Sequence, residues 1–202
     1  MMDRQHLIAV SAILIAAMAG FIIIDLPYPL SVLGIGTTET YIMNYDLDQD
    51  LQPERYVLQD LRLTVADKGR ELWRSPADWR VTSLHIADVT HDSRPDLLLV
   101  VWKRGSFGQA RPFWHTGPDH ELTCHLYVYN LVNKRLKPVW MSSALDQPIK
   151  NLEIKDTDGD GRNELFVTGY HSYWQRLWVH SKSPVNKVTT WQWQDWGFCR
   201  VK

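Results

Sequence analysis

Residues Asp156-Thr157-Asp158-Gly159-Asp160-Gly161-Arg162-Asn163-Glu164-Leu165 set carboxylates at loop positions 1, 3, 5 and 9 around two glycines. Hard cations such as calcium take six to eight oxygen ligands, so a short loop with an acid at alternate positions, bent where glycine tolerates positive φ, can wrap one ion. An EF-hand would need a bidentate Glu at position 12 and flanking helices. Position 12 is Val167, inside the β-rich run Leu165-Phe166-Val167-Thr168, so the loop joins strands instead. Four acids serving only as turn residues would repel one another, which favours a bound cation over a bare Asx-rich turn.

The pattern recurs twice upstream. Asp88-Val89-Thr90-His91-Asp92-Ser93-Arg94-Pro95-Asp96-Leu97 aligns without gaps, keeping acids at positions 1, 5 and 9 while position 3 becomes Thr90. Asp46-Leu47-Asp48-Gln49-Asp50-Leu51-Gln52-Pro53-Glu54 keeps all four acids. Both lack glycine at position 6, where Ser93 and Leu51 stand, which weakens them as metal loops. The loops begin at 46, 88 and 156, and the first interval of 42 residues is the length of one four-stranded propeller blade.

On these loops the chain, from about Thr37 to its C-terminus, resembles the FG-GAP and VCBS repeat proteins, whose calcium-loop blades build integrin-α-like propellers. Glu71-Leu72-Trp73-Arg74-Ser75-Pro76 and Pro138-Val139-Trp140-Met141-Ser142-Ser143, each shortly ahead of a new repeat, are similar to stretches in uncharacterised extracytoplasmic bacterial domains of this group. The resemblance implies structural Ca2+ held by Asp156, Asp158, Asp160 and Glu164 with the backbone carbonyl of Arg162. By position, it implies weaker sites at Asp46, Asp48, Asp50 and Glu54, and at Asp88, Thr90, Asp92 and Asp96.

Residues 7–24, LIAVSAILIAAMAGFIII, carry no charge and can just span a bilayer. Ala17-Met18-Ala19 is a possible cleavage site, but the apolar run continues past it through Ile24, so an uncleaved anchor is expected. Arg4 precedes the run and the next Lys or Arg is Arg55, which puts the N-terminus inside and the body outside the cytoplasm. The expected organisation is therefore a signal anchor over 1–24, a Pro- and Gly-bearing linker over 25–36, and a repeat domain over 37–202. The last is all-β, a partial or small propeller-like array of three antiparallel blades. A fourth would require Asp119-His120-Glu121-Leu122 to be a decayed loop end.

A formal net charge of −1 and the absence of a concentrated basic face exclude a nucleic-acid partner. An insertion from Lys103 to Cys124 divides the second blade and gathers Arg104, Phe107, Arg111, Phe113, Trp114, His115 and His120. Such a mixture either grips a sugar or protein, or tucks its aromatics back as a cap over a sheet edge, and the cap is the expectation. Trp191, Trp193 and Trp196 are read as core. Cys124 and Cys199 are an even pair that could bridge in an oxidising compartment.

No Ser-His-Asp order, G-x-S-x-G elbow or H-E-x-x-H is present. The expected function is a non-enzymatic, calcium-rigidified binding or scaffold module for an envelope protein or glycan, single-pass and extracytoplasmic, with homo-oligomers able to complete an open array. The alternative is an enzyme or accessory subunit acting on a cell-surface polymer.

Overall fold

A computed structural model describes residues 40–108, 110–170 and 188–201. The expected anchor and linker over 1–36 lie outside the described residues. Among the described residues no helix is long and apolar enough to cross a membrane.

Among the described residues, twelve strands form three four-stranded antiparallel sheets, each a meander in chain order. The first contains β1 (Tyr41–Tyr45), β2 (Glu54–Gln59), β3 (Arg62–Asp67) and β4 (Arg70–Arg74). The second contains β5 (Arg80–Ala87), β6 (Asp96–Arg104), β7 (Leu122–Val132) and β8 (Arg135–Met141). The third contains β9 (Ile149–Lys155), β10 (Glu164–Gly169), β11 (Val188–Gln194) and β12 (Gly197–Arg200). The described residues are thus all-β, with one acidic loop joining the first two strands of every sheet.

In the third sheet β11 pairs directly with β10 and the short β12 closes the sheet. β8 carries Pro138 within it, which an edge strand tolerates because no partner needs the missing N–H.

The second sheet is the middle layer. Alternation sends Leu97, Leu99, Val101, Tyr127 and Tyr129 to one face, against Tyr56, Leu63 and Val65 of the first sheet. Leu98, Val100, Trp102, Cys124, Leu126 and Val128 face the other way, against Leu152, Leu165, Val167 and Trp191 of the third. Burial on both faces explains why β6 is an unbroken apolar run, where a one-faced strand would alternate. Each fully buried Leu or Val there is worth about 1.5–3 kcal/mol.

The joints between sheets repeat as well. Trp73 on β4 packs on Tyr129 of β7, with centroids 5.6 Å apart, and Trp140 on β8 packs edge-on against Trp193 of β11 at 6.4 Å. In both cases the outermost strand of one sheet meets the third strand of the next. A serine two residues further on closes each unit: Leu63 N–H donates to Ser75 Oγ at 3.1 Å and Leu126 N–H to Ser142 Oγ at 3.0 Å. The two tryptophan-serine stretches noted in the sequence are therefore equivalent structural joints. Trp196, expected in the core, sits in the β11–β12 turn and is 75% exposed.

Candidate metal loops

The three acidic loops have one backbone. Position 1 accepts two amides in each: Asp46 from Asp50 and Leu51, Asp88 from His91 and Ser93, Asp156 from Gly159 and Gly161. Position 5 caps the amide of position 7, in the pairs Asp50–Gln52, Asp92–Arg94 and Asp160–Arg162. Position 9 opens the second strand, is at most 2% exposed, and accepts the amide of position 2: Glu54 from Leu47, Asp96 from Val89, Glu164 from Thr157. Positions 4 and 6 are left-handed throughout, at φ 59° and 68° for Gln49 and Leu51, 61° and 67° for His91 and Ser93, 78° and 83° for Gly159 and Gly161. The glycines that seemed required are thus replaceable, although each side chain held there costs about 1–2 kcal/mol.

In the third loop, ligand oxygens of Asp156, Asp158 and Glu164 lie within 4.8 Å of one another, close enough to share one cation. Glu164 Oε2 is committed to Thr157 N and Oγ1 at 3.0 and 2.8 Å, while Oε1 receives, among the described residues, a long contact from Gln192 Nε2 at 3.4 Å. The donor set is all oxygen on an exposed loop, which suits calcium. Asp160 stands outside the three-residue cluster and caps Arg162 N at 2.8 Å.

The first loop holds a cation of its own. Lys134, at the tip of the β7–β8 hairpin in the neighbouring sheet, places Nζ 2.7 Å from Asp50, 3.0 Å from Glu54, 3.1 Å from Asp48 and 3.5 Å from Asp67. Burial opposes its charge, but hydrogen bonds to Asp50, Glu54 and Asp48 outweigh that and raise the ammonium pKa. Lys134 in turn lowers the pKa of Asp50. Asp67 lies on β3 across from Glu54, one step beyond the Arg55–Ala66 pair, so this loop faces a fifth carboxylate. Amides occupy the matching places elsewhere, Asn130 beside Asp96 and Gln192 beside Glu164. Asp46, Asp48 and Asp50 also lie near enough to share a metal.

The second loop is sealed internally. Thr90 turns its hydroxyl and amide onto Asp96 Oδ2, both at 3.0 Å, and Asn163 of the third loop donates to the Asp88 carbonyl at 2.8 Å. Burial raises the Asp96 carboxyl to about 6 in spite of hydrogen bonds from Val89 and Thr90. Asp88, Thr90, Asp92 and Asp96 form no three-carboxylate cluster of metal-holding dimensions among the described residues.

At the opposite end of the sheets, the loop 105–121 is laced to its base. Ser106 N–H donates to Asp119, Arg104 reaches the His120 carbonyl, and Lys103 Nζ donates to the carbonyls of Gly105 and Phe107. Beneath it His125 is wholly buried between Ser142 O, 3.0 Å from Nδ1, and Thr123 Oγ1, 2.9 Å from Nε2. Phe113 and Trp114 do not tuck back: they are 91% and 71% exposed, which overturns the cap reading. Cys124 is buried and Cys199 half-buried, and no disulfide joins them, so the bridge that the pair could form is not made.

No protein-family model matches the chain, and no curated protein matches it.

Proposed function

We propose that the chain is a membrane-anchored, extracytoplasmic β-repeat protein of the FG-GAP/VCBS kind, its three sheets acting as blades of a propeller-like array. The shared backbone of the three acidic loops carries this reading. Three loops that keep the same capping pattern and two left-handed residues, even where leucine or serine must adopt them, are copies of one cation-binding unit. The first strands of all three sheets also line a common groove of about 350 Å3, through Tyr41, Met43, Leu84, Ile86 and Ile154, as blades around an axis do.

Calcium belongs in the third loop, on Asp156, Asp158 and Glu164. Asp160 and the Arg162 carbonyl complete the set when an ion draws the exposed side inward. Its role is structural: it neutralises the carboxylates and rigidifies one end of the array as a scaffold for an envelope protein or glycan. Melting the full chain in detergent with chelator and then with millimolar calcium tests this, and identical curves would refute it.

A further inference from the structure

Phe113 and Trp114 form the tip of the 105–121 loop, packed edge-on with centroids 4.9 Å apart and both rings in solvent. The loop beneath them is built to project. Arg111 ties its Nε to the His115 carbonyl at 3.1 Å and its Nη2 to the Gly117 carbonyl, and Phe107 braces His115 at 4.9 Å. Gly108 lies so close to β8 that a Cβ would fall 2.3 Å from the Met141 carbonyl oxygen. Two rings held out in solvent by a braced loop are a contact surface for a partner.

Strand direction says where that surface points. β1 runs from Tyr41 into the first acidic loop, and β6 runs away from the second acidic loop to Arg104. Lys134 joins the first loop to the second sheet's hairpin, and Asn163 joins the third loop to the second, so all three acidic loops share one end. The start of β1 and the aromatic tip therefore share the other. The chain arrives at that end from the apolar run 7–24 through residues 25–40, which reach at most about 55 Å when extended. Lys103, Arg104 and Arg111 lie at this end together with Asp119, each cation bound to a loop carbonyl, and the three carboxylate loops lie at the far one. Tryptophan beside apolar and cationic side chains is also the composition of an interfacial anchor.

We infer that the Phe113–Trp114 tip is a second membrane contact, seating both rings in the headgroup zone of the bilayer that holds the N-terminal run; this rests on the anchor reading above. It would hold the array upright with the acidic loops facing away from the lipid. The test uses the full chain with Cys199→Ser in vesicles of phosphatidylcholine and phosphatidylglycerol, labelled with an environment-sensitive dye at Phe113→Cys or, as control, at the exposed Leu51→Cys of the first loop. Cys124 is buried and escapes the label. Flotation with the vesicles, a several-fold brighter and blue-shifted emission at position 113, none at position 51, and loss of the brightening on Trp114→Ala are the results expected. Flotation with an aqueous signal at both positions overturns the tip as a lipid contact, leaves the anchor standing, and points to a protein or glycan as the occupant. Failure to float overturns the anchor reading and the second contact with it.

Discussion

Lys134 Nζ stands 2.7 Å from Asp50 Oδ2, so the positive charge at the heart of the first acidic loop is a side chain from the adjacent sheet. A tethered ammonium needs no free metal, and because it belongs to another sheet it also fastens the first sheet to the second. The first and third loops therefore share a backbone, but only the first has a side-chain cation among the described residues within 4 Å of its carboxylates.

Lys134→Met should destabilise the fold by about 2–3 kcal/mol, below the 3–5 of a fully buried pair because Lys134 is about one third exposed. Removing the ammonium leaves Asp46, Asp48 and Asp50 clustered without a counter-charge. Millimolar calcium should then recover much of the loss, and calorimetric titration should show one more bound ion than in the wild type. A variant as stable as the wild type in chelator would show that the ion pairs contribute little.

Asp156→Ala and Asp158→Ala should each remove most of the calcium-induced rise in melting temperature. At free calcium a hundredfold above the dissociation constant that rise corresponds to about 2.7 kcal/mol. Asp160→Ala, outside the tight cluster, should weaken the response less than either. An equal effect of all three would instead make Asp160 a full ligand, as the repeat pattern expects.

Leu51 is 91% exposed at φ 68°, so its side chain gains nothing from burial while its backbone is held left-handed. Leu51→Gly should stabilise the protein by about 0.5–1 kcal/mol, the relief of strain being partly offset by a freer unfolded chain. Chemical denaturation of the two proteins measures the difference directly, and a loss of stability would show that the Leu51 side chain contributes packing.

These residues also show what the sequence could convey. The acids at positions 1, 5 and 9 are local and periodic, so the three loops are readable in the sequence. Glycine at position 6 was a misleading filter, because loop capping by Asp46 and Asp88 fixes the left-handed turn without it. Lys134 lies 80 residues from Glu54 and meets it only through the stacking of two sheets, which no local pattern encodes. The exposed tip was misjudged for a related reason: whether an aromatic covers an edge depends on how its loop is braced, and Arg111 does that through backbone carbonyls.

Asp96 makes pH a readable variable. Its folded carboxyl titrates at about 6, above the unfolded value near 3.9, so the native state holds the proton more tightly. Stability from this group is full below pH 4 and is lost as pH rises through 6, about 3 kcal/mol over two pH units. His85 and His125 work in the opposite sense, since burial lowers both and their contribution fades as pH falls below about 6.5. Lowering of the Asp50 carboxyl adds stability that disappears on further acidification. Total stability therefore mixes these trends, and the informative quantity is the difference between wild type and Asp96→Asn. An amide cannot titrate, so as pH is brought from 7 to 4 the wild type should gain on the variant by up to about 3 kcal/mol. Denaturant melts of both proteins at half-unit pH steps give the curve. A difference that stays flat across this range would mean that the amides of Val89 and Thr90 hold Asp96 ionised, with its carboxyl at or below the usual range.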